Sequence, residues 1–316
     1  MKTYTLSSGH EMPALGLGTW KSDPGVVGAA VTAALETGYR HFDCAPIYGN
    51  EAEIGTALDG ALRAGTVRRE DLWITSKLWN SDHGRDRVVP ALQRTLTDLR
   101  LEYLDLYLVH WPVPIRPGVS FPQTADDFVA LEDQPLAGTW AGMEDAVDAG
   151  LARAIGVSNF SARRLTELAH GARIPPAVNQ VELHPYLAQE ALLEAGRGLG
   201  VRLTAYSPLG SMDRPARLKK SGEPVLLEDP AVKAVAAAHG ATPGQVLIAW
   251  ALARDTAVIP KTSRRERLAE NLAAAQLELT QADLATLGRL DRGYRYVDGS
   301  FWCTEGSPHT LDNLWG

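Results

Sequence analysis

Short apolar runs alternate with amphipathic stretches along most of the chain, and this pattern predicts a regular alternation of strands and helices. Several runs are apolar at nearly every position, which is typical of strands buried on both faces of a parallel sheet. Eight strands are predicted, at residues 15–18, 41–43, 72–77, 104–109, 154–158, 178–182, 202–206 and 257–259. Helix-period patterns lie at residues 28–36, 51–62, 87–99, 140–149, 162–169, 189–196, 232–238, 243–253, 265–274 and 284–290.

Eight strands alternating with helices favour an α/β fold, the (β/α)8 TIM barrel. A β-hairpin with its turn at Ser8-Gly9 precedes the first strand, and we expect it to cap the bottom of the barrel. Two long segments, residues 112–138 and 209–229, each begin at the C-terminal end of a strand. We therefore expect both loops, with the C-terminal tail, to lie over the mouth, where long loops are usually functional. No linker interrupts the pattern, so we expect one barrel domain, residues 1–316.

The alternative fold is an open, doubly wound sheet. Such a sheet normally carries G-x-G-x-x-G after its first strand to bind a dinucleotide. Here that position reads Gly16-Leu17-Gly18-Thr19-Trp20-Lys21, which lacks the third glycine. The closed barrel is therefore favoured.

Composition narrows the range of partners. Of 316 residues, 45% are hydrophobic and 22% are charged, which is enough apolar material for a large core. The net charge of −7 and the absence of a basic stripe argue against nucleic acid. No apolar stretch approaches the ~20 residues that span a bilayer, and the N-terminus lacks the apolar block of a signal peptide. We therefore expect no membrane partner. Because Cys44 and Cys303 do not make a disulfide framework, we also expect a reducing, cytoplasmic location.

Several motifs follow one another in a fixed order along the chain. They are Gly38-Tyr39-Arg40-His41-Phe42-Asp43-Cys44-Ala45 with Tyr48-Gly49-Asn50-Glu51, His110-Trp111-Pro112, Gly156-Val157-Ser158-Asn159-Phe160, Gln180-Val181-Glu182-Leu183-His184-Pro185-Tyr186, Ala205-Tyr206-Ser207-Pro208-Leu209-Gly210 and Ile259-Pro260-Lys261-Thr262 with Arg267, Glu270 and Asn271. Together they resemble the aldo-keto reductase family, and most closely its aldehyde reductase and aldose reductase-like members. The likeness covers about residues 3 to 290, whereas the tail after Gly293 departs from it. The resemblance implies an NADP-dependent oxidoreductase that reduces aldehydes and some ketones, and a monomer.

Four polar residues at or just past strand ends are the candidate catalytic group: Asp43, Tyr48, Lys77 and His110. Carbonyl reduction requires a hydride at carbon and a proton at oxygen. A tyrosine can give the proton, although its unperturbed pKa is about 10, and we expect the Lys77 ammonium to lower that pKa. Asp43 would hold Lys77 charged, and His110 would be a second donor to the carbonyl oxygen. The resemblance assigns the same roles, with Tyr48 as the acid. Taken singly, these residues could instead be a rim salt bridge, a packed aromatic and a core histidine.

The resemblance also implies a set of cofactor contacts. Ser158, Asn159 and Gln180 would hold the nicotinamide carboxamide, and Tyr206 would stack on its ring. A loop with Ser207, Leu209, Ser211 and Asp213 would cover the pyrophosphate. The residues themselves add a cationic, hydroxyl-rich segment that leads into a helix, with Lys261, Thr262, Ser263, Arg264 and Arg267. This segment suits the 2′-phosphate of NADPH, although it could also be a solvated helix face. Glu270 and Asn271 would contact the adenine end.

Aromatic side chains are expected at the substrate mouth: Trp20, Trp79, Trp111, Phe121 and, from the tail, Trp302. An apolar pocket suits small aldehydes and ketones. Because the tail has no Arg or Lys beyond Arg295, neutral aldehydes are predicted to be preferred over acidic ones. The scattered histidines form no H-E-x-x-H motif, so no metal site is predicted. The alternatives are a non-catalytic, nicotinamide-binding regulatory barrel and a metal-dependent barrel hydrolase.

Overall fold

Eight parallel strands form a closed barrel in the computed structural model of the protein, which describes residues 2–316. The strands of the barrel are β3 (Leu17–Gly18), β4 (His41–Asp43), β5 (Trp73–Leu78), β6 (Leu104–Val109), β7 (Ala152–Ser158), β8 (Val178–Glu182), β9 (Arg202–Tyr206) and β10 (Ala257–Val258). Each strand pairs in parallel with the next one along the chain. The predicted strands differ from these only at their ends.

The first and last strands close the barrel through backbone contacts. The Gly16 N–H donates to Val258 O at 2.9 Å, and the Val258 N–H donates to Ala14 O at 2.8 Å. Gly18 continues this seam, and a Cβ placed there would lie only 2.8 Å from the Ile259 carbonyl oxygen. Glycine at residue 18 therefore permits the close approach that closes the barrel.

Helices surround the barrel. They are α1 (Val27–Thr37), α2 (Glu51–Arg63), α3 (Arg85–Leu99), α4 (Leu136–Asp148), α5 (Ala162–Gly171), α6 (Glu190–Leu199), α7 (Pro230–Ala238), α8 (Pro243–Ala253), α9 (Arg265–Ala273), α10 (Gln281–Gly288) and α11 (Leu311–Trp315). The start of α8 follows directly from its sequence, because Thr242 and Gln245 form a capping box around Pro243. In α3 the predicted apolar face, which includes Val88 and Leu92, is buried. None of the helices of residues 2–316 is both long and apolar enough to cross a membrane.

The hairpin consists of β1 (Thr3–Thr5) and β2 (Glu11–Pro13), which pair antiparallel, as predicted. Gly9 adopts a φ of +80° in its turn, a conformation that favours glycine. Met12 is fully buried against the barrel, and the carbonyl of Pro13 lies 2.9 Å from Nδ1 of His41 at the start of β4. The hairpin therefore lies at the N-terminal ends of the strands, opposite the mouth.

The two predicted loops and the tail lie at the other end. The first loop contains a 3-10 turn at Ala125–Asp127 and an antiparallel bridge between Ile115 and Phe128, and α4 begins at its end. The second contains 3-10 turns at Ala216–Leu218 and Leu226–Glu228. Buried Glu182, at the end of β8, accepts 2.7 Å hydrogen bonds from the Tyr296 and Val297 N–H groups. This carboxylate therefore fastens the tail across the mouth. The tail ends in α11, a short helix that the sequence pattern did not predict.

Candidate active site

A buried lysine is the centre of the polar cluster at the mouth. Lys77 on β5 has no exposed surface, and its Nζ donates to Asp43 Oδ1 at 2.5 Å and to Cys44 O at 2.9 Å. Burial alone would lower the pKa of Lys77, but the Asp43 carboxylate and the Tyr48 hydroxyl outweigh it and raise that pKa. Lys77 therefore stays an ammonium ion inside the barrel.

The hydroxyl of Tyr48 faces this ammonium. Tyr48 ends the 3-10 turn Pro46–Tyr48 that follows β4, and Lys77 Nζ donates to its Oη at 3.4 Å. Burial is the largest influence on the pKa of Tyr48 and raises it to about 12, although Lys77 acts in the opposite direction. The expectation of a phenol pKa lowered below 10 is therefore wrong for this structure. The phenol remains protonated over the whole physiological range.

His110 lies against the same group. It follows β6, and its ring centre is 5.9 Å from that of Tyr48 and 5.2 Å from that of Trp79. Burial, with a smaller contribution from the Lys77 ammonium, holds the pKa of His110 well below its usual value. Its Nδ1 is buried and has no hydrogen-bond partner within residues 2–316. The ring is therefore a neutral imidazole, with one N–H to donate.

Amide and hydroxyl groups complete the polar floor of the mouth. Gln180 Nε2 donates to Asp43 Oδ2 at 2.6 Å, and Ser158 Oγ donates to Gln180 O at 2.8 Å. Asn159 Nδ2 donates to His110 O at 2.9 Å, while the Tyr206 hydroxyl donates to Asn159 Oδ1 at 2.8 Å. The predicted amide-binding residues therefore form one network with the predicted catalytic residues.

Backbone strain is concentrated at this mouth. Seven residues other than glycine have a positive φ between residues 2 and 316, and four of them line the cavity: Lys21, Asn159, Ser207 and Ser211. Such conformations cost free energy and persist where the surrounding structure enforces them, often at ligand sites. The strain is independent support for a binding site here.

The second long loop is tied to the opposite rim. Lys21 Nζ donates to Ser211 Oγ at 2.8 Å and to Asp213 Oδ1 at 2.6 Å. Lys261 lies 3.5 Å from the other oxygen of Asp213. These contacts hold residues 209–213 across the cavity. Lys21 was not predicted as a site residue. The only sequence feature that could have indicated it is its position directly after Trp20, which was predicted at the mouth.

Nine of the predicted cofactor residues line the cavity: Ser158, Asn159, Gln180, Tyr206, Ser207, Leu209, Ser211, Asp213 and Lys261. Five do not: Thr262, Ser263, Arg267, Glu270 and Asn271. Arg267 instead pairs with Glu270 at 2.6 Å, and Glu270 also accepts a 2.7 Å hydrogen bond from Thr242. Asn271 is buried. These five lie on α9 or in the segment that leads into it, beyond Lys261.

All five predicted aromatic residues line the same cavity, whose volume is about 430 Å³. Phe121 stacks on Trp302 with ring centres 5.5 Å apart, and Trp302 lies 5.9 Å from both Trp79 and Trp111. Trp20 lies on the other side, 6.5 Å from Tyr48. Trp302 is fully buried, so the tail supplies part of the cavity wall.

One cation in the wall of this cavity was not predicted from the sequence. Arg217, from the second loop, lines the cavity with its guanidinium 5.9 Å from the centre of the Phe121 ring. Arg295 of the tail does not line it and stacks instead on Trp315 at 3.6 Å. The other cavity-lining cations, Lys21 and Lys261, each pair with a carboxylate, whereas Arg217 has no such pair among residues 2–316. The predicted preference for neutral aldehydes depended on the tail alone, whereas Arg217 belongs to the second loop.

The donor set suits a nicotinamide dinucleotide. Side-chain amides and hydroxyls at the end of β7 and in the middle of β8 can bond a neutral carboxamide. The Tyr206 ring offers a stacking surface in the cavity, and Lys21 and Lys261 supply positive charge where a pyrophosphate would need it. The residues present therefore fit the predicted cofactor.

Comparisons with known proteins agree with this architecture. The sequence profile of the Aldo/keto reductase family matches residues 14–292. An aldo/keto reductase of Synechocystis sp. is 56% identical over 315 residues, which covers 100% of this chain and 96% of that protein. The human aldo-keto reductase family 1 member A1 is 46% identical over 294 residues, covering 92% and 90%. The structure of an aldose reductase from Schistosoma japonicum aligns with a TM-score of 0.88 at 40% identity, covering 98% of each chain.

Fold, site and relatives together define a nicotinamide-dependent oxidoreductase that acts on carbonyl groups. The chain belongs to the aldo/keto reductase family, and the resemblance found in its motifs is confirmed.

Proposed function

We propose that this protein uses NADPH to reduce aldehydes, and some ketones, to alcohols, with Tyr48 as the proton donor. The observation that carries the proposal is the 3.4 Å contact between the Tyr48 hydroxyl and the buried Lys77 ammonium, at the floor of an aromatic cavity. A protonated phenol beside a fixed positive charge suits proton donation to a carbonyl oxygen.

The positions of these side chains support a proton transfer from Tyr48 to the substrate. When bound, the reduced nicotinamide supplies a hydride to the carbonyl carbon. Tyr48 donates a hydrogen bond to the carbonyl oxygen and passes its proton to that oxygen as negative charge develops there. With a pKa of about 12, Tyr48 is still a much stronger acid than an alcohol, so the transfer is favourable. Lys77 then stabilises the phenolate that remains.

Two neighbours support this step. Asp43 holds Lys77 in place and keeps it charged through the 2.5 Å ion pair. His110, as a neutral imidazole, donates a second hydrogen bond that orients the carbonyl group. Because both residues are buried, their hydrogen bonds act in a medium of low dielectric constant, where they stabilise developing charge more than they would in water.

NADPH would lie across the mouth. Ser158, Asn159 and Gln180 would bond the carboxamide, Tyr206 would stack on the nicotinamide, and the loop with Ser207, Leu209, Ser211 and Asp213 would cover the pyrophosphate. The positive segment with Lys261, Thr262, Ser263 and Arg267 would take the 2′-phosphate, and Glu270 and Asn271 the adenine end. Arg267 would exchange part of its pairing with Glu270 for the phosphate. This set favours NADPH over NADH.

The substrate would be a small aldehyde or ketone enclosed by Trp20, Trp79, Trp111, Phe121 and Trp302. We further propose that residues 1–316 act as one domain, as a monomer, in the cytoplasm.

The proposal is tested by mixing the purified protein with a panel of aldehydes and ketones, using NADPH and NADH in parallel. Loss of NADPH absorbance with aldehydes supports the reductase. Binding of NADPH without turnover would favour a regulatory barrel, and hydrolysis that depends on an added metal would favour a hydrolase. Either of these results contradicts the proposed function.

A further inference from the structure

A buried carboxyl group lies behind the cluster and takes no part in the proton transfer above. Glu51 is the first residue of α2, is 3% exposed and forms no ion pair within residues 2–316. Its Oε1 accepts a 2.5 Å hydrogen bond from Ser76 Oγ, and its Oε2 accepts a 3.1 Å hydrogen bond from Thr95 Oγ1. One carboxyl group thus joins α2 to β5 and α3.

The two segments that Glu51 and Ser76 join carry the Tyr48 hydroxyl and the Lys77 ammonium. Glu51 follows Tyr48 by three residues, and Ser76 directly precedes Lys77. Side chains alternate along a strand, so Ser76 reaches the helices while Lys77 reaches the mouth. The Tyr48–Lys77 distance of 3.4 Å is close to the upper limit for a hydrogen bond. A small shift of α2 relative to β5 would therefore break that contact.

The hydrogen bonds of Glu51 match its ionised form. A 2.5 Å O–H···O distance is the length expected when the acceptor is charged. A carboxylate accepts from both hydroxyls, whereas a neutral carboxyl group must donate its own proton, so that one hydroxyl has to turn. Loss of the charge would therefore rearrange the junction between the two segments.

Glu51 can change its charge near neutral pH. Burial raises its pKa to about 7, against the opposing influence of the Ser76 and Thr95 hydroxyls. Of the charged groups that face it, Asp98 on α3 raises this pKa and Lys77 on β5 lowers it. The remaining titratable neighbours, Cys44 and Tyr107, are buried, and their pKa values are raised well above normal, so both stay neutral.

We propose that Glu51 is a positioning residue of this site, and that its ionised form holds Tyr48 at hydrogen-bond distance from Lys77. The inference rests on the proposed reductase function. Glu51 acts through Ser76 and through the turn that carries Tyr48, and it has no place in the cavity wall. Its loss therefore lowers kcat and leaves the affinity for NADPH unchanged.

The test compares Glu51→Gln, which keeps the shape of the neutral form, with Glu53→Gln. Glu53 lies on the same turn of α2 but accepts hydrogen bonds from the backbone N–H groups of Gly25 and Gly28, away from β5. The wild type is expected to show a rise in kcat between about pH 6 and about pH 8 as Glu51 ionises. Glu51→Gln should abolish this rise and lower kcat about tenfold at the higher pH, as expected of a misplaced proton donor. Glu53→Gln should retain the rise, and the Kd of NADPH should be the same in all three proteins.

A second readout does not depend on activity. The infrared band of a protonated carboxyl group should titrate near neutral pH in the wild type and be absent from Glu51→Gln. If Glu51→Gln does not fold, Thr95→Val provides the test. It removes the Thr95 donor and keeps the hydrogen bond between Ser76 and Glu51, so it raises the pKa of Glu51 and moves the kcat rise to higher pH. An unchanged pH profile in either variant overturns the role of Glu51. A wild type without any aldehyde-dependent turnover contradicts the proposed function instead.

Discussion

Gln180 donates a 2.6 Å hydrogen bond to Oδ2 of Asp43, the oxygen that does not bind Lys77. The two residues come from β8 and β4, which lie on opposite sides of the eight-stranded barrel. The Asp43 carboxylate is thus held from both sides, by an ammonium and by an amide. This contact spans the mouth and links the residues proposed for the nicotinamide to those proposed for proton transfer.

Replacement of Gln180 should therefore affect the whole floor of the site. Gln180→Ala leaves Asp43 Oδ2 buried without its donor, and we expect a loss of stability of about 1–3 kcal/mol. Gln180→Glu places a second carboxylate against Asp43 and should cost more than Gln180→Ala. Denaturant unfolding of both variants measures the difference. Equal stability of Gln180→Glu and the wild type would show that the Asp43–Gln180 hydrogen bond has no energetic importance.

Arg267 is expected to distinguish the two nicotinamide cofactors. Arg267→Ala removes a guanidinium that can grip the 2′-phosphate, so the Kd for NADPH should rise by about tenfold or more, as for a lost charged hydrogen bond. The Kd for NADH, which lacks this phosphate, should change little. Arg265→Ala is the control, because Arg265 pairs with Glu36 at 2.7 Å. Equal losses for both cofactors in Arg267→Ala would rule out the 2′-phosphate role.

Arg217 should control the response to the charge of the substrate. It is the unpaired cation of the cavity wall within the described chain, so a carboxylate on the substrate would find a partner there. Arg217→Gln is expected to lower kcat/KM for a carboxylate-bearing aldehyde about tenfold more than for a matched neutral aldehyde. Lys219→Gln, two residues along the same loop and outside this cavity, should not. If Arg217→Gln lowers kcat/KM equally for both aldehydes, Arg217 does not discriminate between substrates by their charge.

The stability of the protein should depend on pH through Glu51. The folded state raises the pKa of this carboxyl group to about 7, so it binds the proton more tightly than the unfolded chain does. The resulting stabilisation is complete below the unfolded pKa of about 4.3 and is lost as the pH rises through the folded value. Relative to Glu51→Gln, the wild type should therefore lose stability on the order of 1–3 kcal/mol between about pH 5 and about pH 9. Parallel pH profiles of the unfolding free energy in the two proteins would contradict this assignment.

The sequence predicted much of the site because its polar residues stand where apolar runs stop. Asp43 ends β4, Lys77 is the last but one residue of β5 and His110 directly follows β6. Parallel strands in a barrel bring such positions to one mouth. The aromatic wall was predicted from residues close to these ends, from Phe121 on the first long loop and from Trp302 on the tail.

What the sequence did not predict depends on tertiary packing. Burial raises the pKa of Tyr48, and no local pattern shows how deeply a side chain will lie. Arg217 reaches the cavity only because the second loop folds back over Phe121. The short helix α11 was missed because its five residues give too little periodicity, although Thr310 and Asn313 form its capping box.

The most direct test of the account is the turnover of Tyr48→Phe with NADPH and an aldehyde that the wild type reduces. Removal of one hydroxyl deletes the proton donor but keeps the ring, so turnover should fall to less than about 1% while the Kd of NADPH stays within about twofold. Tyr103→Phe, at the N-terminal end of β6 and away from the mouth, is the matched control and should remain active. Turnover in Tyr48→Phe well above about 1% of the wild type would contradict the assignment of Tyr48 as the acid.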